Sequence, residues 1–281
     1  MEKTWLKQYP QGVPANIDVE QYPSLVALLD ASFAKFAALC AYRFMGKAFS
    51  FAQIDEASRA LAAYLQSLGL AKGDRIAVMM PNVPQYPVAV AAILRAGYVV
   101  VNVNPLYTPR ELEHQLKDSG AKAILIVENF AHVLQQVLGT VPTKHIVTTA
   151  LGDMLGFPKR LIVNYVVRNV KKMVPAFQLP GAVEFNDAVA SGAGKAYTPA
   201  SVGLDDIAVL QYTGGTTGVS KGAVLLHRNL VANLLQAEAW YQPALKKIPP
   251  GEQIVTVCAL PLYHIFGFNT NMMLSMRMGG C

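Results

Sequence analysis

Cysteine is scarce: Cys40, Cys258 and Cys281 are the only three in 281 residues, with no C-x-x-C pair and no Cys/His spacing suited to a metal. That pattern supports neither a disulfide framework nor a zinc centre. Charge is thin as well, at 15% of residues, against about 25% in ordinary globular domains. With 53% hydrophobic residues, intrinsic disorder is excluded, because that state combines few apolar side chains with much charge. The first 25 residues carry charges and prolines but no apolar stretch of the kind a secretory signal needs. A reducing, cytoplasmic setting is the resulting expectation. One run, Tyr86 to Val103, approaches the hydropathy of a membrane span, yet Arg95 interrupts it and Pro87 and Gly97 punctuate it. It reads as a buried helix followed by a strand. The excess of 24 basic over 18 acidic residues gives a net charge of +6. Aromatics do not alternate with the basic residues and no groove-reading motif occurs, so nucleic acid is not an expected partner. An acidic ligand or an anionic membrane surface suits the same charge.

What is present has an alternating rhythm. Apolar residues at helical spacing from Gln53 to Leu68 lead to Gly69, and the short apolar run Arg75 to Met80 ends at Pro81. Helices are then expected at Pro84–Ala96, Pro109–Ser119 and Phe130–Leu138, and strands at Tyr98–Val103, Ala123–Val127 and His145–Thr149. This is the pattern of βαβ units around a parallel sheet covered on both faces, so the fold class is α/β. Between Leu155 and Pro175, Arg160, Asn164, Arg168 and Lys171 recur at three-to-four spacing, with Leu161, Ile162, Tyr165, Val166 and Met173 elsewhere around the turn. A basic amphipathic helix of this kind attaches to an anionic bilayer or a partner, or is a solvated face on a helix docked to its own domain. Residues 175–203, rich in Pro and Gly, read as a connection.

The segment that carries chemistry follows the short strand Ile207–Leu210: YTGGTTGVSKGA, residues 212–223. Phosphate oxygens need several donors converging from backbone that no Cβ obstructs, which Gly214, Gly215 and Gly218 allow. Thr213, Thr216 and Thr217 add hydroxyls, and Lys221 adds a compact cation for a terminal phosphate. A Walker A loop fails to match: the lysine follows Ser220, and Gly222-Ala223 lead into the apolar run Val224–Leu226, a second strand rather than a helix start.

This segment resembles the phosphate-binding loop of the acyl-adenylate-forming superfamily, which includes acyl-CoA synthetases, luciferases and peptide-synthetase adenylation domains. FSFAQIDEASRALAAYL, GDRIAVMMPNVPQYPVAVAAILRAGYVVVNVNPLYTPRELEHQLKDSGAKAILIV and ALPLYHIFG extend the resemblance over Trp5 to Gly280. VNVNPLYTPRELEHQLKDSGA and LQYTGGTTGVSKGA are most similar to the bacterial long-chain fatty acid CoA ligases. The resemblance implies layered parallel sheets flanked by helices, as in the large N-terminal domain of such enzymes. It implies two reactions: a long-chain fatty carboxylate, ATP and Mg²⁺ give acyl-adenylate and pyrophosphate, and the CoA thiol then displaces AMP. Thr213, Gly214, Gly215, Thr216, Thr217, Gly218 and Lys221 would cradle the β- and γ-phosphates, with the Thr213 hydroxyl near the magnesium. His264 would take part at the reacting carboxylate, and Gly267 and Phe268 would shape the acyl pocket beside it. His114, His132, His145 and His227 fit surface or capping roles better than catalysis.

The implied organisation is a first α/β subdomain over 1–200, with the basic helix near 155–175, and the start of a second over 201–281. The adenine, ribose and CoA contacts and the small C-terminal domain with its lysine would lie beyond residue 281. A chain ending there is expected to be inactive alone, to expose apolar surface and to associate into homodimers, with the glycine-threonine loop disordered without nucleotide. Three other readings stand beside this one: a ligase for aryl or shorter acids, a non-catalytic nucleotide- or lipid-binding module held peripherally on the inner membrane surface, and a Walker-type NTPase. Pyrophosphate rather than phosphate release separates either ligase from the NTPase.

Overall fold

The computed structural model describes residues 3–213, 220–249 and 251–281. Helix α1 (Leu25–Lys35) precedes the hairpin of β1 (Cys40–Phe44) and β2 (Lys47–Ser50). There follow α2 (Phe51–Gln66), β3 (Arg75–Met79), α3 (Gln85–Arg95), β4 (Val99–Asn102), α4 (Pro109–Ser119), β5 (Ala123–Val127), α5 (Ala131–Val137) and β6 (His145–Thr149). Then come α6 (Lys159–Tyr165), β7 (Val183–Glu184), α7 (Phe185–Ala193), β8 (Ile207–Thr213), β9 (Lys221–Leu226) and α8 (His227–Leu245).

Seven strands form one sheet in the order β7-β6-β5-β3-β4-β8-β9. Every pairing is parallel except that of β8 with β9. Strands β3, β4 and β5 are almost wholly apolar on both faces because helices cover both. Along β3, Ile76 and Val78 enter one core with α1, α2, α3, α7 and α8, while Ala77 and Met79 enter another with α4 and α5. Helix α4 shows why boundaries here are sharp. Thr108 caps it and the Glu111 carboxylate accepts in return from the Thr108 amide, Pro109 opens it, and Gly120 in the left-handed region closes it. Each of these devices satisfies or removes an amide that the first turn leaves unpaired, or lets the chain leave the last turn.

Arg95, the charge inside the most apolar run, is 1% exposed and ion-paired to Asp30 and Asp55. Its Nε donates to Asp30 Oδ1 at 3.0 Å, and the guanidinium lies 4.7 Å from the Phe33 ring centre. The run is therefore α3 followed by β4, and among the described residues no helix is long and apolar enough to cross a membrane.

Three expectations need correction. Cys40 and Cys281 are joined as a disulfide across 241 residues of sequence, a separation from which no spacing rule could pair them. Residues 175–203 are more than a connection: β7 and α7 lie within them, and Phe185 and Ala188 of α7 are buried in the larger core. The short apolar pattern of α7 is masked in sequence by neighbouring Gly and Pro. The helix between 155 and 175 pairs its arginines with acids of its own domain. Arg168 makes a two-pronged contact with the buried Glu128 carboxylate, at 2.9 and 2.7 Å, and Arg160 approaches Asp153 and Glu184 at 3.5 Å each. Asn164 is buried and spans Gly152 N–H and Asp153. Leu161, Ile162 and Tyr165 therefore face outward, 58–62% exposed, so the apolar side is the solvent side.

Candidate phosphate and acyl site

Strand β8 enters the sheet beside β4 as a parallel neighbour, so its last residues emerge at the carboxyl end of the sheet. Ligands of open α/β sheets bind outside that end. Strand β9 returns antiparallel, with Thr213 opposite Lys221, Tyr212 opposite Gly222 and Gln211 opposite Ala223. The two outermost side chains of this ladder, Thr213 and Lys221, are both exposed, and Thr213 Oγ1 is 3.5 Å from the Lys221 carbonyl. A hydroxyl and an ammonium group thus stand at the two feet of the connection between the strands. Gly214, Gly215, Thr216, Thr217 and Gly218 lie outside the described residues.

The segment leading to His264 is fastened to the same end of the sheet by buried amides. Asn82, just after β3, donates to the Cys258 and Leu260 carbonyls at 2.9 Å each and accepts from Leu262 N–H at 2.9 Å. Gln211 donates to the Tyr263 carbonyl at 3.1 Å and accepts from Asn102 Nδ2 at 3.0 Å. The Tyr86 hydroxyl lies 2.5 Å from Asn102 Oδ1 and 2.9 Å from the Leu262 carbonyl. Burial pushes the Tyr86 phenol well above its ordinary range, so it keeps its proton. A satisfied chain of this kind fixes geometry, since leaving one member unpaired costs about 1–3 kcal/mol. Sequence reading passed over Asn82, Tyr86, Asn102 and Gln211. The signal was there for two of them: an amide at the end of an otherwise apolar strand, as in VVVN and IAVLQ, needs a buried partner.

His264 is exposed and stands at the start of a helical segment, its Nδ1 accepting weakly from Phe266 N–H at 3.4 Å. The helix begins only at Ile265, and ALPLY before it is a lead-in of bend and turn. Gly267 is buried where a Cβ would fall 2.3 Å from the Pro261 carbonyl oxygen, which requires glycine there. Phe268 is fully buried in the larger core, against the helix that carries Leu230 and Leu234. The network therefore brings together Thr213, Lys221 and the entry to His264, through Gln211 and Tyr263.

No group of three His, Cys, Asp or Glu side chains suited to a metal occurs among the described residues.

The family described as AMP-binding enzyme matches residues 19–281. A long-chain-fatty-acid–CoA ligase of Salmonella typhimurium is 52% identical over all 281 residues, which cover 49% of that protein. The chain thus spans about half the length of the relatives it matches. Among solved structures, a long-chain-fatty-acid–CoA ligase from Archaeoglobus fulgidus superposes with a TM-score of 0.72 at 25% identity, over 97% of this chain and 48% of that one. An anthranilate CoA ligase in complex with anthranoyl-AMP superposes with a TM-score of 0.74 at 20% identity, over 94% of this chain and 46% of that one.

Proposed function

The chain belongs to the AMP-binding enzyme family, and from that premise we propose that it is the amino-terminal part of a ligase that activates a long-chain fatty acid with ATP and passes it to CoA. In the first step a carboxylate oxygen bonds to the α-phosphorus while the bond from that phosphorus to the bridging oxygen breaks, releasing pyrophosphate. In the second, the thiol sulfur bonds to the acyl carbon, the bond to AMP breaks, and the thiol proton is lost. The observation that carries this reading is the pairing of Thr213 with Lys221 at the exposed carboxyl end of the sheet. Charge accumulates on the departing pyrophosphate, and a preorganised ammonium beside hydroxyl and backbone donors stabilises it; removal of one such donor costs about 3 kcal/mol in comparable sites. Thr213, Lys221 and the intervening Gly214, Gly215, Thr216, Thr217 and Gly218 are assigned to the β- and γ-phosphates. The Thr213 hydroxyl is assigned to magnesium, which supplies charge neutralisation when bound. His264 is assigned to the end of the acyl pocket where the carboxylate reacts, with Gly267 and Phe268 forming the wall behind it. Residues up to 200 serve on this view as the scaffold, and those from 201 onward as the start of the catalytic subdomain.

The test is to measure pyrophosphate release over a series of carboxylic acids with an enzyme that carries this chain at its amino terminus. Activity peaking with long-chain acids, and lost in K221M, supports the reading. Preference for aryl or short acids, or release of phosphate instead, overturns it.

A second proposal concerns location. The outward apolar side of α6, with exposed Lys171 and Lys172 beside it, suits peripheral attachment to an anionic bilayer on its cytoplasmic side. Pelleting with phosphatidylglycerol vesicles should be abolished by K171E/K172E; unchanged pelleting, or a concentration-dependent homodimer formed through this face, would count against it. Arg160 and Arg168 are unsuitable targets because their carboxylate partners hold them.

A further inference from the structure

Two side chains of α4, one helical turn apart, reach the two strands on either side of residues 214–219. Asp118 accepts from the Tyr212 hydroxyl at 2.5 Å, across 94 residues of sequence. His114 Nε2 lies 3.0 Å from the Ser220 carbonyl oxygen, across 106 residues. A carbonyl oxygen can only accept, so the Nε2 of His114 carries the proton and donates, whether the ring is neutral or cationic. Positions 114 and 118 share one face of the helix. The opposite side of α4 is anchored independently: Leu112 and Leu116 are buried in the smaller core, and Gln115 donates to the Asn102 carbonyl at 2.8 Å.

The receiving side is shaped for the contact. Tyr212 is buried in the smaller core and lies opposite Gly222 in the ladder, where a Cβ would come within 3.0 Å of its ring. A glycine on β9 thus gives the ring room to lie flat against the strand and present its hydroxyl to α4. Burial and then the Asp118 hydrogen bond raise the phenol above its ordinary range, so it remains a donor throughout the physiological interval. Neither bond is needed to pair β8 with β9, which the ladder already does. What the bonds add is a fixed position of both strand ends relative to the body of the sheet.

We infer that His114 and Asp118 are positioning residues that clamp the feet of the phosphate-binding connection, setting where Thr213 and Lys221 stand. This rests on the assignment of those two residues to phosphate. One contact acts through Tyr212, adjacent to Thr213, and the other through Ser220, adjacent to Lys221. A rigid frame spares a charged ligand the cost of ordering its donors, so loosening the frame lowers affinity without removing any donor.

The experiment titrates this chain with inorganic tripolyphosphate by calorimetry and follows amide exchange in the same proteins. H114A/D118A should bind at least tenfold more weakly than the parent, and Y212F, which keeps the ring but cuts one contact, about threefold more weakly. Exchange should quicken at residues 212–213 and 220–223 and stay unchanged at 99–102. The conservative variants H114Q and D118N, which retain a donor and an acceptor at these positions, should recover most of the affinity. Parent-like binding and exchange in H114A/D118A would overturn the clamp, as would an affinity loss that H114Q and D118N fail to recover. If the parent itself does not bind tripolyphosphate, the phosphate assignment fails first, and the clamp is judged by the exchange at 220–223 alone.

Discussion

Arg95 and Arg168 are both arginines in helical segments beside the same sheet, yet they sit in opposite kinds of surroundings. Arg95 ends α3, a helix buried on every side, and its charge is met by the partly exposed carboxylates of Asp30 and Asp55 from α1 and α2. Arg168 follows α6, whose only buried face is its polar one, and it reaches in to a carboxylate that β5 delivers at its end, Glu128. The pairing of an arginine thus follows the place of its acid and not the hydropathy of its helix. In the first region apolar neighbours come along into the core; in the second they are left outside.

Breaking the first region should have the largest effect. D30A/D55A leaves the Arg95 charge buried without a carboxylate, and loss of the partners of a buried charge costs about 3–5 kcal/mol. The urea midpoint should fall accordingly with its slope preserved; a drop below about 1 kcal/mol would show that the acids are not what keeps Arg95 inside.

A second comparison within the buried region uses pH. His227, the first residue of α8, is buried and its Nδ1 accepts from Leu25 N–H at 3.2 Å, capping α1. Burial pulls its pKa down to about 4 from 6.5, with Lys72 adding to the depression and Asp206 opposing it. Between those values the unfolded chain binds a proton that the folded chain does not, so stability falls as pH drops from 6.5 towards 4. The full loss is about 3 kcal/mol, from roughly 1.4 kcal/mol per pH unit. Asp206, held below the ordinary carboxylate range chiefly by its hydrogen bond from Lys72, adds a further loss only as the pH falls below about 4. Replacing the imidazole in H227Q should flatten the slope between pH 4 and 6.5 in urea titrations, and a slope left intact would assign it to other groups.

The smallest effect should come from the second region. L161S/I162S changes side chains that already face solvent, so stability should move by no more than about 0.5 kcal/mol. A loss above 1 kcal/mol would mean that the outward face of α6 is covered in the folded chain and would erase the contrast with α3.

The same contrast explains how much of this was legible in sequence. The strands from β3 to β6 could be read closely because Pro, Gly and Asp punctuate their apolar runs, and α4 could be bounded to the residue because Thr108, Pro109 and Glu111 mark its start and Gly120 its end. For α6 the period was visible but its direction was not: three-to-four spacing defines two faces, and only Asp153, Glu184 and Glu128, distant in sequence, decide which one turns in. A hydroxyl at Thr213 and an ammonium group at Lys221 were legible as residue types. Their juxtaposition was not, since it depends on an antiparallel register. Asn82 and Asp118 went unread, and His114 was given only a surface or capping role, for the same reason: each acts on a partner roughly ninety to two hundred positions away.

The two margins of the sheet differ in length. At one side β7 offers two residues, Val183 and Glu184, too short a rail for another chain to add itself by backbone pairing. At the other, β9 presents six residues, Lys221 to Leu226, which among the described residues pair with β8 alone. Any strand recruited to enlarge this sheet would therefore dock on the lysine's own strand, and growth of the architecture and placement of the ammonium group would be governed by a single edge.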